Sequence, residues 1–155
     1  MENLPPPPPP TWAAASETQL SSERAGFGLR LIAALIDGIL IGIVGGIFYA
    51  ISTTLGYVVQ ILLTVAYLTY LEGSPSGQTV GKKAMGIRVI DFRTGGSIGY
   101  GRAFIRWIGR YVSAIACLLG YFWMLWDKEK QTWHDKFAND VVVPESAYPV
   151  ESWPG

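Results

Sequence analysis

Asp37 has the strongest claim to chemistry in this sequence, because of where it stands. It lies within "LRLIAALIDGILIGIVGGIFYAI", residues 29–51, an otherwise apolar run opened by Arg30. An ionisable group at the centre of a spanning helix costs roughly 2.5–3.5 kcal/mol, and somewhat less two turns in. Two roles fit such a residue. Asp37 carries a proton or cation, or it packs against another helix, protonated or hydrogen-bonded. Arg30 and Asp37 fall on nearly the same helical face, ~10.5 Å apart along the axis, too far for a direct pair. Each is expected to have its own partner, or to share one through another element.

Three more patterns bear on Asp37. Tyr57, Gln60, Thr64 and Tyr67 form one helical stripe in the next apolar run, and polar groups in lipid turn inward. Gln60 and Thr64 are the expected contacts of Asp37. Ala34, Gly38, Gly42 and Gly46 repeat a small residue every fourth position. Lipid supplies no hydrophobic drive between helices, so this face is expected to pack closely on the second helix or on another copy of the chain. Arg102, Arg106 and Arg110 form a stripe expected to meet anionic headgroups on the cytoplasmic side. Pairing with carboxylates such as Asp37 or Asp135 is the alternative.

Other chemistry fails at the level of spacing. "SGQTVGKK" lacks the first glycine of a phosphate-binding loop, and Lys83 stands where Ser or Thr is needed. His134 and Asp135 resemble half a catalytic dyad, but no companion nucleophile or ligand set accompanies them, so no enzyme is expected. One His and one Cys argue against a structural zinc site, and no cofactor is expected. Cys117 has no partner for an intrachain disulfide and reads as a small buried apolar residue.

Composition and segmentation place these residues in a bilayer. Only 15% of residues are charged, half are hydrophobic, and the mean hydropathy is +0.27, whereas a soluble domain carries about a quarter charged residues. The formal net charge is zero, so no global field favours nucleic acid. Residues 31–51 and 55–71 are long enough to cross and predict a transmembrane helical hairpin. A third helical segment, about 98–126, is spanning or re-entrant; Trp107, Tyr111, Tyr121, Trp123 and Trp126 at its two ends favour a span. Between hairpin and third segment, "GIRVID" and "RTGGS" suggest a short strand or hairpin, and Ser97 is a candidate N-cap. The fold class is therefore an all-α membrane protein. Residues 1–23, with six consecutive prolines, are expected to be a disordered cytoplasmic tail, and 144–155 a disordered C-terminal tail. The start lacks a basic stretch followed by an apolar one, so it does not read as a cleavable signal peptide. Lys82, Lys83, Arg88, Arg93 and Arg102 follow the hairpin, while residues 52–54 carry no charge. The positive-inside rule then puts the N-terminus in the cytoplasm. The C-terminus is cytoplasmic only if the third segment turns back.

Together, "GLRLIAALIDGIL", "GQTVGKKAMGIRVID", "GRAFIRWIGR" and "QTWHDKFANDVVV" resemble the RDD family of small membrane proteins over roughly residues 24–143. In that resemblance Arg30 and Asp37 match the arginine and first aspartate, Asp135 the second aspartate, and Gly81, Lys82, Gly86 and Asp91 the segment after the hairpin. "FAND" departs from the small residue and Thr common after "HD". The resemblance implies a multi-pass protein of a bacterial-type cytoplasmic membrane. Two functions are open. One is a transport component for ions or small solutes that uses an intramembrane carboxylate. The other is a non-transporting scaffold or accessory subunit. Expected partners are a bilayer with anionic headgroups and either further copies of the chain or another membrane protein, and not nucleic acid.

Overall fold

The computed structural model describes residues 23–115 and 119–148. The Pro-rich start, Cys117 and residues 149–155 fall outside that range.

Helix α1 spans Phe27–Ile51 and α2 spans Thr53–Gly73. At ~1.5 Å per residue both are long enough to cross a hydrocarbon core. They start earlier and, for α2, end later than the apolar runs, so Arg30 and Glu72 belong to the helices themselves. Only Ser52, in an extended conformation, separates them, which makes a tight antiparallel hairpin. The outer surfaces are what lipid requires. Leu35, Ile39, Ile43 and Ile47 are 57–62% exposed on α1, more apolar surface than a soluble helix leaves uncovered.

The buried stripe of α1 is Ala33, Asp37, Ile41 and Gly45. This corrects the expected packing face. Ala34, Gly38, Gly42 and Gly46 are exposed, and a Cβ at any of the three glycines would meet nothing within 4 Å. The register shifts by one residue because Asp37 has to point inward to meet its donors, and that fixes the rotation of the helix. Gly45 provides the close contact instead: a Cβ there would lie 1.7 Å from Gln60 Oε1 of α2.

Past the hairpin come α3 (Val80–Ala84), β1 (Ile87–Asp91), α4 (Gly99–Ile115), α5 (Leu119–Phe122) with a 3-10 turn at Trp123–Leu125, α6 (Trp133–Ala138) and β2 (Asp140–Pro144). β1 pairs antiparallel with β2, Ile87 opposite Pro144 and Asp91 opposite Asp140. Strand β1 is therefore not half of a local hairpin through "RTGGS"; its partner lies about fifty residues away. The ribbon is buried on both faces. Ile87, Val89 and Val142 pack with Ala33 and Ala103, while Ile90, Val141 and Val143 pack with Phe92 and Tyr148. The other regular elements among the described residues are helical, an all-α membrane fold closed at one end by this ribbon. The Ser97 hydroxyl accepts from the Gly99 amide at 3.2 Å, capping the start of α4.

The third segment bends. α4 and the α5 turn diverge by 111° across their break. Phe122 then stacks on Phe27, centroids 5.7 Å apart, at the start of α1. The chain continues into α6, which packs against α4, and into β2 beside β1.

Candidate functional site: a buried ion-pair network beside an open cavity

Asp37 is held by α3 and by the polar end of α2. Gly81 brings α3 against α1 so closely that a Cβ would stand 2.1 Å from the Ala33 carbonyl oxygen and 2.9 Å from Asp37 Oδ1. That approach lets the Gly81 amide donate to Asp37 Oδ1 at 2.8 Å. The Thr79 hydroxyl donates to Oδ2 at 2.6 Å, and the Tyr67 hydroxyl to Oδ1 at 2.7 Å. The donors are themselves fixed. Thr79 caps α3 by accepting from the Lys82 amide, and Tyr67 accepts from the Val80 amide at 3.0 Å. Gln60 and Thr64, the expected partners, are not among these contacts. The Thr64 hydroxyl instead bonds the Gln60 carbonyl at 2.7 Å, and both residues line a cavity. Of that stripe Tyr67 reaches Asp37 while Tyr57 is 60% exposed, and two of the three donors come from the short helix α3 and its N-cap Thr79.

Arg30 has partners apart from Asp37. It bonds Asp135 and, at 3.0 Å, the Lys130 carbonyl. Asp135 sits at the start of α6 in a capping box: its Oδ2 accepts from the Thr132 amide at 2.9 Å, while its own amide donates to the Thr132 hydroxyl. "TWHD" encodes that box locally. Gly109 admits α6 against α4, since a Cβ there would come within 2.9 Å of His134 Cβ.

Arg106 is the hub. It is 1% exposed. Its Nη1 lies 2.6 Å from Asp135 Oδ1 and also pairs with Asp140, while its Nε lies 3.1 Å from Glu72 Oε2. Glu72 receives Lys82 and Arg110 as well. Arg102 pairs with Asp91. The headgroup expectation thus fails for Arg106, which is sealed from any bilayer, and the carboxylate alternative describes it. Arg102 and Arg110 are likewise turned to carboxylates. Desolvation explains the change: burying this many charges is tolerable only when each is paired. Glu72, Asp140 and Thr79 are site residues that sequence reasoning did not single out, and Tyr67 stood there only as the last member of the α2 stripe. Glu72 had one visible signal, a lone carboxylate ending an apolar run.

The network shifts the groups outside the spanning helices. Burial, opposed by Glu72 and aided by Arg106 and Arg110, lowers the Lys82 ammonium to about 8. Burial also pushes the Asp135 carboxyl up, but Arg106 and Arg30 outweigh it and hold the group well below its ordinary range. Asp140 goes the other way. Burial and the nearby Asp135 outweigh Arg106, leaving it at about 7. Its Oδ2 has no hydrogen-bond partner, so a proton there costs no existing contact. Burial drives His134 well below its usual value, so it is neutral near pH 7. Among the described residues no group of His, Cys, Asp and Glu is arranged to hold a metal ion.

Beside the network lies a partly open cavity of about 550 Å³. Arg30, Lys82, Arg106 and Arg110 face it from three helices. The lining also includes Ala34, Gly38 and Ile41 of α1, with Ala114 and Phe122. Hence two residues of the small-residue stripe serve to leave space and not to pack a helix.

Two apolar hairpin helices, a bent third segment and a buried Arg/Asp/Glu network define a small helical membrane protein. Residues 24–139 match the RDD family, and the chain belongs to it. It is 34% identical over 96 residues to the proline-rich antigen homolog of Mycobacterium tuberculosis, covering 58% of this chain and 40% of that protein. It is 35% identical over 86 residues to the proline-rich antigen of Mycobacterium leprae, covering 54% and 34%. The chain thus matches well under half the length of these curated relatives. No solved structure matches it.

Proposed function

We propose that this chain is a transport component of a cytoplasmic membrane, multi-pass, with its N-terminus on the cytoplasmic side. The observation that carries this reading is the half-enclosed, cation-lined cavity of about 550 Å³ set against α1, within the size range of solute sites. Asp37 stands directly behind its Ala33–Gly38 wall, tied to α3 by Thr79 and Gly81. A change at this carboxylate therefore reaches Lys82, which faces the cavity from the same short helix. Further copies of the chain or a second membrane protein would complete a path that two long helices and a bent pair cannot enclose. The reading is non-enzymatic.

The test is flux in proteoliposomes, read for protons, monovalent cations and small organic anions. Asp37→Asn keeps one acceptor oxygen and loses the other, so flux of the transported species is expected to fall by about tenfold or more. Wild-type vesicles silent to every species, or Asp37→Asn flux equal to wild type, would sink the proposal.

One observation favours a scaffold instead: Glu72 and Asp135 already find two or more cations each within the chain. Under that reading Asp37→Asn lowers stability or partner recovery and no flux depends on it.

A further inference from the structure

The lining of the cavity changes from cationic to apolar along its helices. Arg30, Lys82, Arg106 and Arg110 line it, and no carboxylate does. The carboxylates that neutralise them, Glu72, Asp135 and Asp140, are at most 1% exposed and stand behind the cations. Counting Asp37 behind the α1 wall, the carboxylates number four against four, so the cavity meets positive groups because the cations line it and not through an excess of charge. Further along the same helices the lining becomes apolar: Ala34 and Gly38 follow Arg30 at one and two turns on α1, Ala114 follows Arg110 one turn on along α4, and Ile41, Leu68 and Phe122 complete it. The small side chains at 34 and 38 leave a slot along α1, and the surrounding surface of that helix is exposed Leu and Ile.

A small hydrated anion would meet the cations but leave the apolar slot empty. A neutral hydrocarbon would fill the slot but leave the cations unmet. One ligand chemistry satisfies both ends: a negative head joined to an alkyl chain. Guanidinium groups bind phosphate oxygens through paired N–H donors, and Arg30 and Arg110, whose side chains are 10% and 20% exposed, offer two such groups in one cavity. We propose that the cavity binds an acidic membrane phospholipid, with its phosphate at Arg30, Lys82 and Arg110 and one acyl chain in the Ala34–Gly38–Ile41 slot. The inference goes beyond the transport reading: it concerns what occupies the same cavity, whether or not that occupant is moved. It differs from a headgroup layer on a basic surface, because the lipid is held inside the fold.

The test measures binding, so absent flux would fail the transport reading and leave this one standing. The full chain is placed in phosphatidylcholine nanodiscs carrying a trace of spin-labelled phosphatidylglycerol or, in a parallel sample, spin-labelled phosphatidylcholine. The motionally restricted fraction is then compared. Phosphatidylglycerol is expected to be restricted preferentially. Gly38→Leu fills the slot and Arg110→Gln removes a cation, and each should weaken the preference by about fivefold to tenfold. Gly42→Leu, one turn further along and outside the cavity lining, keeps the wild-type preference. Millimolar inorganic phosphate leaves the lipid in place. Equal restriction of the two lipids, or a Gly38→Leu protein that binds as wild type, overturns the proposal. So does an equal loss in Gly42→Leu, because binding would not then track the cavity. Full displacement by inorganic phosphate assigns the site to a free anion and overturns it as well.

Discussion

Arg106 holds two aspartates and one glutamate, and Asp140 is the one with the least help. Asp135 also has Arg30, and Glu72 also has Lys82 and Arg110. This shortage is why Asp140 rises to about 7 while Asp135 falls. The consequence for stability has a definite sign. A carboxyl whose folded value lies above its unfolded value, about 3.9, binds more protons folded than unfolded between the two. Its contribution is complete at the acid end and is lost as pH rises toward about 7. In thermal unfolding in detergent, the Tm of Asp140→Asn relative to wild type should therefore rise between about pH 5 and pH 7.5, as the wild type loses the Asp140 contribution. His134, neutral when folded, pulls the other way below about pH 6.5, so the comparison decides: an Asp140→Asn profile parallel to the wild type over this interval contradicts the assignment. At this scale the sequence showed only part of the site. Arg30, Asp37 and Asp135 stand out because charge is conspicuous in apolar surroundings or beside a lone histidine. Glu72 and Asp140 meet Arg106 across 34 residues each, and no local spacing rule reaches that far.

The elements show the same division. The two long helices were legible from length and hydropathy, and their ends moved only by a turn or less. The rotation of α1 was not legible. Small residues repeat at 34, 38, 42 and 46, but the inward stripe runs through 33, 37, 41 and 45. A pattern of glycines says that space is available and not what fills it; the three hydrogen bonds to Asp37 decide the rotation. α3 supplies two of those bonds, so its docking is the element-level hinge of the site. Gly81→Ala drives a methyl into the Ala33 carbonyl and Asp37. It should destabilise the detergent-solubilised protein by about 3 kcal/mol, whereas Gly42→Ala should cost less than about 0.5 kcal/mol. Chemical denaturation of the two variants side by side checks this. Equal stabilities would mean that α3 does not press on α1.

For the whole molecule, the undecided question in the sequence was whether the third segment crosses. Its aromatic ends favoured a span, yet a 111° bend and the Phe27–Phe122 stack return the chain to the start of α1. Strand β2 and α6 then close on β1 and α4. Their partners lie 25 to 57 residues away, beyond the reach of any local pattern. The Arg30–Asp135 pair, the Arg106 hub and the cavity beside them all require the start of α1 and the 127–148 segment to share one face of the membrane. Cysteine accessibility tests this most directly. In a Cys117→Ala background, Thr54→Cys marks the exposed turn of the hairpin and Ser146→Cys the exposed end of the closing segment. With an impermeant maleimide on intact cells, position 54 should label and position 146 should label only after lysis. Labelling of both positions in intact cells would place Asp135 across the bilayer from Arg30 and contradict the site.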